Sequence, residues 1–184
     1  WDDIQLEEKA YPTSFVRTIR SPETLTIPTA GIFQKGNWTV EMTYIPTSAV
    51  IGNNQTLFSC YIDSDNYYQI KIEANGKFYI DVRSGGVSNT ISGIKVLEAN
   101  KPYSIMLCGD GSRMMFCEDG VEVLSKDYNE PIGDLPSNMY IGLWYAGGLQ
   151  CNGIIDELRF SKVARTLGEH QAYYNSQKGF TDID

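Results

Sequence analysis

The chain of 184 residues predicts an all-β, antiparallel two-sheet sandwich of the jelly-roll kind with one short C-terminal helix. Period-two alternation of apolar and polar residues recurs along almost the whole length, which gives each strand one packed and one wet face. Asn75-Gly76, Asp110-Gly111 and Asp119-Gly120 punctuate these runs at hairpin spacing. Only the segment after Thr166 carries a helix-start signal.

Taken in order, strands are expected near 14–20 and at 24–28. In the next, Trp38, Val40, Met42 and Tyr44 alternate with Thr39, Glu41, Thr43 and Ile45 until Pro46 ends the run. Runs at 55–62 and 66–73 are joined by Asp63-Ser64-Asp65, and 77–83 follows a turn in which both Asn75 and Gly76 should take positive φ. A polar interval at 84–89 separates these from strands at 90–96, 102–108, 112–118 and 121–126. A looser stretch, 127–136, leads to strands at 138–145 and 153–161, about twelve in all, which is sandwich territory. Thr166-Leu167-Gly168-Glu169 has the form of a capping box, and Leu167, Gln171 and Tyr174 share one face of a helix lying outside the sandwich. Residues 13–177 read as one domain, with 1–12 and 178–184 as linkers or tails.

A net charge of −8 and a pI near 4.7 argue against nucleic acid, whose backbone needs clustered Lys and Arg. Twelve Tyr against seven Phe favours surfaces where a ring packs while its hydroxyl stays wet. No apolar run approaches the roughly 20 residues a helix needs to span a bilayer, so no membrane insertion is expected. Beginning at Trp1-Asp2-Asp3, without Met or the order of a signal peptide, the chain reads as a piece excised from a larger protein. Cys60, Cys108, Cys117 and Cys151 show no CxxC spacing. They fit free buried thiols, and a Cys108–Cys117 bridge across one hairpin is the alternative.

Three segments together resemble the laminin-G-like, concanavalin A-like jelly rolls over about residues 14–174. They are Leu25-Thr26-Ile27-Pro28 followed by Trp38-Thr39-Val40-Glu41, the paired runs within 66–83, and the stretch 139–165. The last includes Ile155-Asp156-Glu157-Leu158-Arg159-Phe160 and Ala164-Arg165, similar to the family's closing signature. The phrase from Ser21-Pro22-Glu23 to Thr29-Ala30-Gly31 resembles domains appended to bacteriophage tail and minor structural proteins of Gram-positive hosts. The resemblance implies a non-catalytic glycan or protein binder, often with structural calcium. It places the module on a virion as part of a phage tail, or at the cell surface or outside the cell, in host attachment. Several copies, as in a homo-oligomer, would add avidity. Glucanases of this fold carry Glu-x-Asp-x-x-Glu on one strand, a spacing absent here, and Glu118-Asp119 fails it because Asp119 belongs to a turn.

If Tyr68, Ile70 and Ile72 face the core, then Tyr67, Gln69 and Lys71 face outward beside Tyr79, Asp81 and Arg83 of the next strand. Rings among amides, carboxylates and a guanidinium suit a sugar, and an ordinary solvated sheet face with cross-strand charge pairs suits the same pattern. Trp144 and Tyr145, beside Gly147 and Gly148, form a second candidate platform. Both parities around Ile141 and Leu143 are apolar, so Trp144 fits either core or platform. Asp156 is the candidate calcium ligand, as a hard cation would explain a carboxylate in an apolar strand, and an ion pair with Arg159 or Arg17 is the alternative. Asp63-Ser64-Asp65-Asn66 lacks the Gly and distal Glu of an EF-hand and reads as a turn. His170, the only histidine, is expected to be solvated on the helix, and no phosphate-binding Gly-rich motif occurs. The reading is a carbohydrate-binding, lectin-like recognition module contacting a glycan or cell-surface polysaccharide. The alternatives are a glycoside hydrolase or lyase of the same fold, and a structural spacer.

Overall fold

The computed structural model describes residues 25–47, 52 and 54–178. The expected strand at 14–20 and the linker at 1–12 lie outside them, as does all of the expected C-terminal linker but Lys178. Alternation becomes strand in β1 (Leu25–Pro28), β2 (Trp38–Pro46), β3 (Gln55–Asp63), β4 (Asn66–Ile72), β5 (Phe78–Ser84) and β6 (Val87–Ser92). It continues in β7 (Tyr103–Gly109), β8 (Arg113–Glu118), β9 (Val121–Asp127), β10 (Asn138–Ile141) and β11 (Gly153–Ser161), and α1 (Leu167–Lys178) follows. One antiparallel sheet runs β1-β10-β3-β4-β5-β6 and the other β11-β2-β7-β8-β9. The expected jelly-roll sandwich is therefore present.

The inner faces meet in one core: Trp38, Val40, Met42 and Tyr44 of β2 with Tyr103, Ile105 and Leu107 of β7 oppose Tyr68, Ile70 and Ile72 of β4 with Phe78, Ile80 and Val82 of β5. Each such side chain is worth roughly 1.5–3 kcal/mol of burial. The segment expected to be looser, 127–136, is fastened to this core. Glu130 accepts from the hydroxyls of Tyr68 and Tyr128, from the Trp38 indole at 3.1 Å and from the Gly36 amide at 3.2 Å. All four cysteines are free. Cys108 stands opposite Met115 and Cys117 opposite Met106, so the two thiols of the hairpin are diagonal neighbours.

Several boundaries differ from expectation for local reasons. At Asn75-Gly76 only the glycine takes positive φ, and Glu73–Lys77 closes a longer loop. Two-residue turns with both φ positive fall at Asp119-Gly120, where a turn was expected, and at Gly85-Gly86, where Ser84 pairs Val87. The second makes β6 start inside the interval read as a loop. It also ends early, because the Ile94 and Lys95 amides turn to the Glu118 carboxylate. Strand β10 stops at Ile141, where the Gly142 amide bonds the Leu57 carbonyl at 2.9 Å. In β11 a bulge between Asp156 and Arg159, with Glu157 at φ 50°, lets Ile155 and Leu158 both point inward although three positions apart. The acids of the closing signature thus stand exposed on an edge strand.

Candidate functional site

On the outer face of the six-stranded sheet, Tyr61 of β3 pairs with Tyr67 of β4, their rings 6.4 Å apart. The loop after β10 brings two more rings to them. Its Gly147 amide closes a turn on the Trp144 carbonyl at 2.9 Å, and the Leu149 carbonyl accepts from the Thr56 amide at 2.7 Å, tying the loop to β3. Tyr145 stacks on Tyr61 with centroids 3.3 Å apart, while Trp144 stands edge-on to Tyr61 at 6.4 Å and to Tyr67 at 6.1 Å. Edge-on packing such as that of Trp144 on the two tyrosines adds about 0.5–1.5 kcal/mol per pair beyond burial. Trp144 is half-buried, on the outer side, while its neighbour Leu143 is buried.

Beside the rings runs a polar row in register across four strands: Ser59, Gln69, Asp81 and Thr90. The Tyr67 hydroxyl donates to Asp81 Oδ2 at 2.9 Å, and Gln69 Nε2 donates to Thr56 Oγ1 at 3.4 Å. Asp81 Oδ1 and Ser59 Oγ are buried without a hydrogen-bond partner. Arg83 lies 6.0 Å over the Tyr67 ring and donates to the Gly86 carbonyl, and the Lys71 ammonium lies 4.6 Å over Tyr79. Burial, and then Asp81, pushes the Tyr67 hydroxyl above its ordinary pKa. The Tyr61 hydroxyl is pushed up to about 12, first by its hydrogen bond with Tyr145.

Both candidate clusters read from the sequence therefore belong to one face. An ordinary solvated face does not describe it, since Tyr67, Gln69 and Asp81 are only 8%, 2% and 7% exposed. Tyr79 and Arg83 are half-buried at its far side. Tyr61 escaped the sequence reading, although its place in the strand opposite Tyr67 was the available signal.

His170 is a correction. It is fully buried rather than solvated, because the inward side of α1 carries Leu167, His170 and Tyr173, not Gln171. Its Nε2 accepts from the Gly120 amide at 3.4 Å. Arg159, offered as a partner for Asp156, points instead to Glu41 across the sheet, at 3.8 Å. Asp156 is exposed, and its Oδ1 accepts from the Glu157 amide at 2.8 Å within the bulge. Among the described residues no three Asp, Glu, His or Cys side chains gather to hold a metal. Side chains alone do not fit a calcium cage at Asp156, and a site there would need backbone carbonyls. Glu118 and Asp119 serve as loop anchors. Glu118 holds the Ile94 and Lys95 amides, while Asp119 accepts from the Ser104 amide at 2.8 Å and pairs with Lys95.

Residues 22–169 match the family model described as the concanavalin A-like lectin/glucanases superfamily, and the chain belongs to that superfamily. Among solved structures it is similar to the CBM40 domain of the Ruminococcus gnavus IT-sialidase bound to α2,3-sialyllactose, at 16% identity and TM-score 0.61, covering 76% of this chain and 83% of that one. The SAP-like pentraxin of Limulus polyphemus gives 16% identity and TM-score 0.59 over 78% of this chain and 73% of that one. Domains LG4-5 of the mouse laminin α1 chain give 12% and 0.62 over 79% of this chain, which spans 40% of that pair. At these identities the likeness is one of fold. Comparison with curated protein sequences gives no significant match.

Proposed function

We propose that this domain is a non-catalytic, lectin-like carbohydrate-binding module of a larger protein, with the Tyr61, Tyr67, Trp144 and Tyr145 cluster as its sugar platform. The observation that carries this reading is the meeting of rings from β3, β4 and the β10–β11 loop beside a buried polar row with unpartnered oxygens. Ring C–H faces of a sugar stack on such aromatics, and hydroxyls bond fixed amides, carboxylates and guanidinium groups. The half-buried Arg83 offers such a group with Tyr79 at the edge, while the buried Asp81 holds the Tyr67 hydroxyl and the buried Gln69 bonds Thr56. The superfamily includes lectins, and the CBM40 domain named above was solved with a sialylated sugar, which supports a glycan as the ligand class.

A phage tail or surface adhesin contacting host glycans is the setting this reading favours. Weak single sites gain there from repeated copies in a homo-oligomer or larger assembly. The test is a glycan array followed by host-cell binding, with Trp144→Ala and Tyr145→Ala beside the wild type. The expected result is selective glycan capture, weakened about five- to twelvefold by either change, as loss of a stacked ring worth roughly 1–1.5 kcal/mol requires. Unaltered binding by both variants would defeat the platform. Reducing-sugar release from any polysaccharide in the panel would replace the module with a hydrolase. The same reading includes calcium at Asp156, held with backbone carbonyls. A chelator should then lower the melting temperature, and an unchanged one removes the ion.

A further inference from the structure

The outer face of the five-stranded sheet is covered by α1 in an unusual way. Glu41 of β2 is 1% exposed, and the polar groups around it come from three other places. Arg159 Nη2 of β11 lies 3.8 Å from its Oε2, Arg165 Nη1 of the β11–α1 connection 3.2 Å from the same oxygen, and His170 Nδ1 of α1 3.8 Å from Oε1. The two arginine contacts are charge contacts outside hydrogen-bond geometry, and that of His170, whose Nε2 accepts from the Gly120 amide, is a close approach of a polar ring. Both Glu41 oxygens, Arg159 Nε and Nη2, His170 Nδ1 and the Tyr173 hydroxyl are buried without a hydrogen-bond partner. Arg159 also stacks on the Tyr173 ring at 3.5 Å. Thr39 secures the connection, donating to the Val163 carbonyl at 2.7 Å and accepting from the Arg165 amide at 3.0 Å.

Beneath the start of the helix lies a sulfur-lined patch, separate from the main core. Met106, Cys108 and Cys117 are buried, and Met115 and Leu167 pack against them. The Cys108 thiol donates to the Arg165 carbonyl at 3.3 Å. Buried polar atoms that lack partners weaken an interface, and elements with few buried apolar contacts open first. Helix α1 follows the last strand, so its departure unthreads none of the described sheet.

We infer that α1 and its connection form an ionic clasp on Glu41, which opens as a unit from an intact sandwich and uncovers Cys108 and Cys117. This inference is independent of the glycan reading, because it concerns the opposite sheet. Closed, both thiols are held unreactive by burial, which pushes each up to about 12. Cys60, in the main core between the sheets, becomes reachable only when the whole domain unfolds.

The test is site-resolved thiol labelling of the whole chain with a maleimide, followed by mass spectrometry across low urea concentrations. Cys108 and Cys117 should label at least about tenfold faster than Cys60 and with little dependence on urea, as a local opening exposes little surface. Ile80→Val, in the core, should speed Cys60 roughly two- to tenfold and leave Cys108 and Cys117 unchanged, because the open clasp keeps the sandwich. Glu41→Gln should speed Cys108 and Cys117 about tenfold or more. Arg165→Gln replaces it, with the same criterion, if that variant does not fold. Labelling of all three thiols at one rate with one urea dependence would overturn the clasp. So would equal acceleration of all three by Ile80→Val.

Discussion

The two sheets of this sandwich cover their outer faces by opposite means, although both obey the same alternation. On the six-stranded sheet a loop lays Trp144 and Tyr145 against Tyr61 and Tyr67, so rings gather beside a polar row. On the five-stranded sheet a helix lays His170 and Tyr173 against a buried carboxylate and two half-buried arginines. Rings leave a surface that a neutral, hydroxyl-rich ligand can use, because stacking survives in water. Buried charges leave one that works only while every partner stays in place, since an unpaired buried charge is costly.

The largest effect should come from breaking the charged face. Glu41→Ala should lower stability by about 3 kcal/mol in urea unfolding, at the lower end for a broken buried pair because both arginines reach solvent. A loss below roughly 1 kcal/mol, the size of a surface pair, would make the two faces energetically alike. Next, Tyr67→Phe should cost about 1–2 kcal/mol, since it leaves the Asp81 carboxylate without its hydroxyl donor while the ring remains. Glycan capture should persist in that variant if stacking dominates. Trp144→Ala should cost only about 1 kcal/mol of stability, as the ring is half-buried, while removing most of the glycan signal. The opposite balance, stability lost and binding kept, would make Trp144 a structural cover like α1.

The smallest effect is a pH dependence at the start of the helix. The Thr166 amide, and then its hydroxyl, hold Glu169 below the ordinary carboxylate pKa. A depressed value means that the cap stabilises α1 at neutral pH and is lost as acid protonates Glu169 below the usual Glu pKa of about 4.3. Protection factors of the amides in the first turn of α1, taken against the intrinsic exchange rate at each pH, should therefore fall on acidification, and Glu169→Gln should flatten that dependence.

Most strands were legible because local alternation reports which face is buried, and Trp38 to Tyr44 or Tyr68 to Ile72 needed nothing more. The turns at Asn75-Gly76, Asp110-Gly111 and Asp119-Gly120 were legible in place, and one more was not. Gly85-Gly86 sits in a polar stretch that looked like a loop, and only the pairing of Ser84 with Val87 reveals a hairpin. The candidate site was half legible. Tyr67, Gln69, Asp81 and Arg83 were read correctly as one face, but the burial of Tyr67, Gln69 and Asp81 is not written in the alternation. His170 was misplaced because the helix phase was anchored on Gln171. The spacing from Leu167 to His170 fits the buried side equally well, and no polar residue announces a carboxylate waiting beneath it.

The sequence by itself determined the all-β class, the meander of hairpins, the capped helix and the resemblance to concanavalin A-like jelly rolls, since these rest on period, turn chemistry and local capping. Only the tertiary structure decided what covers each sheet. Arg165 meets Thr39 across 126 positions of chain, and Tyr145 meets Tyr61 through a separate strand and loop. Such contacts are set by how the sheets pack and twist, and no local pattern of residues encodes them.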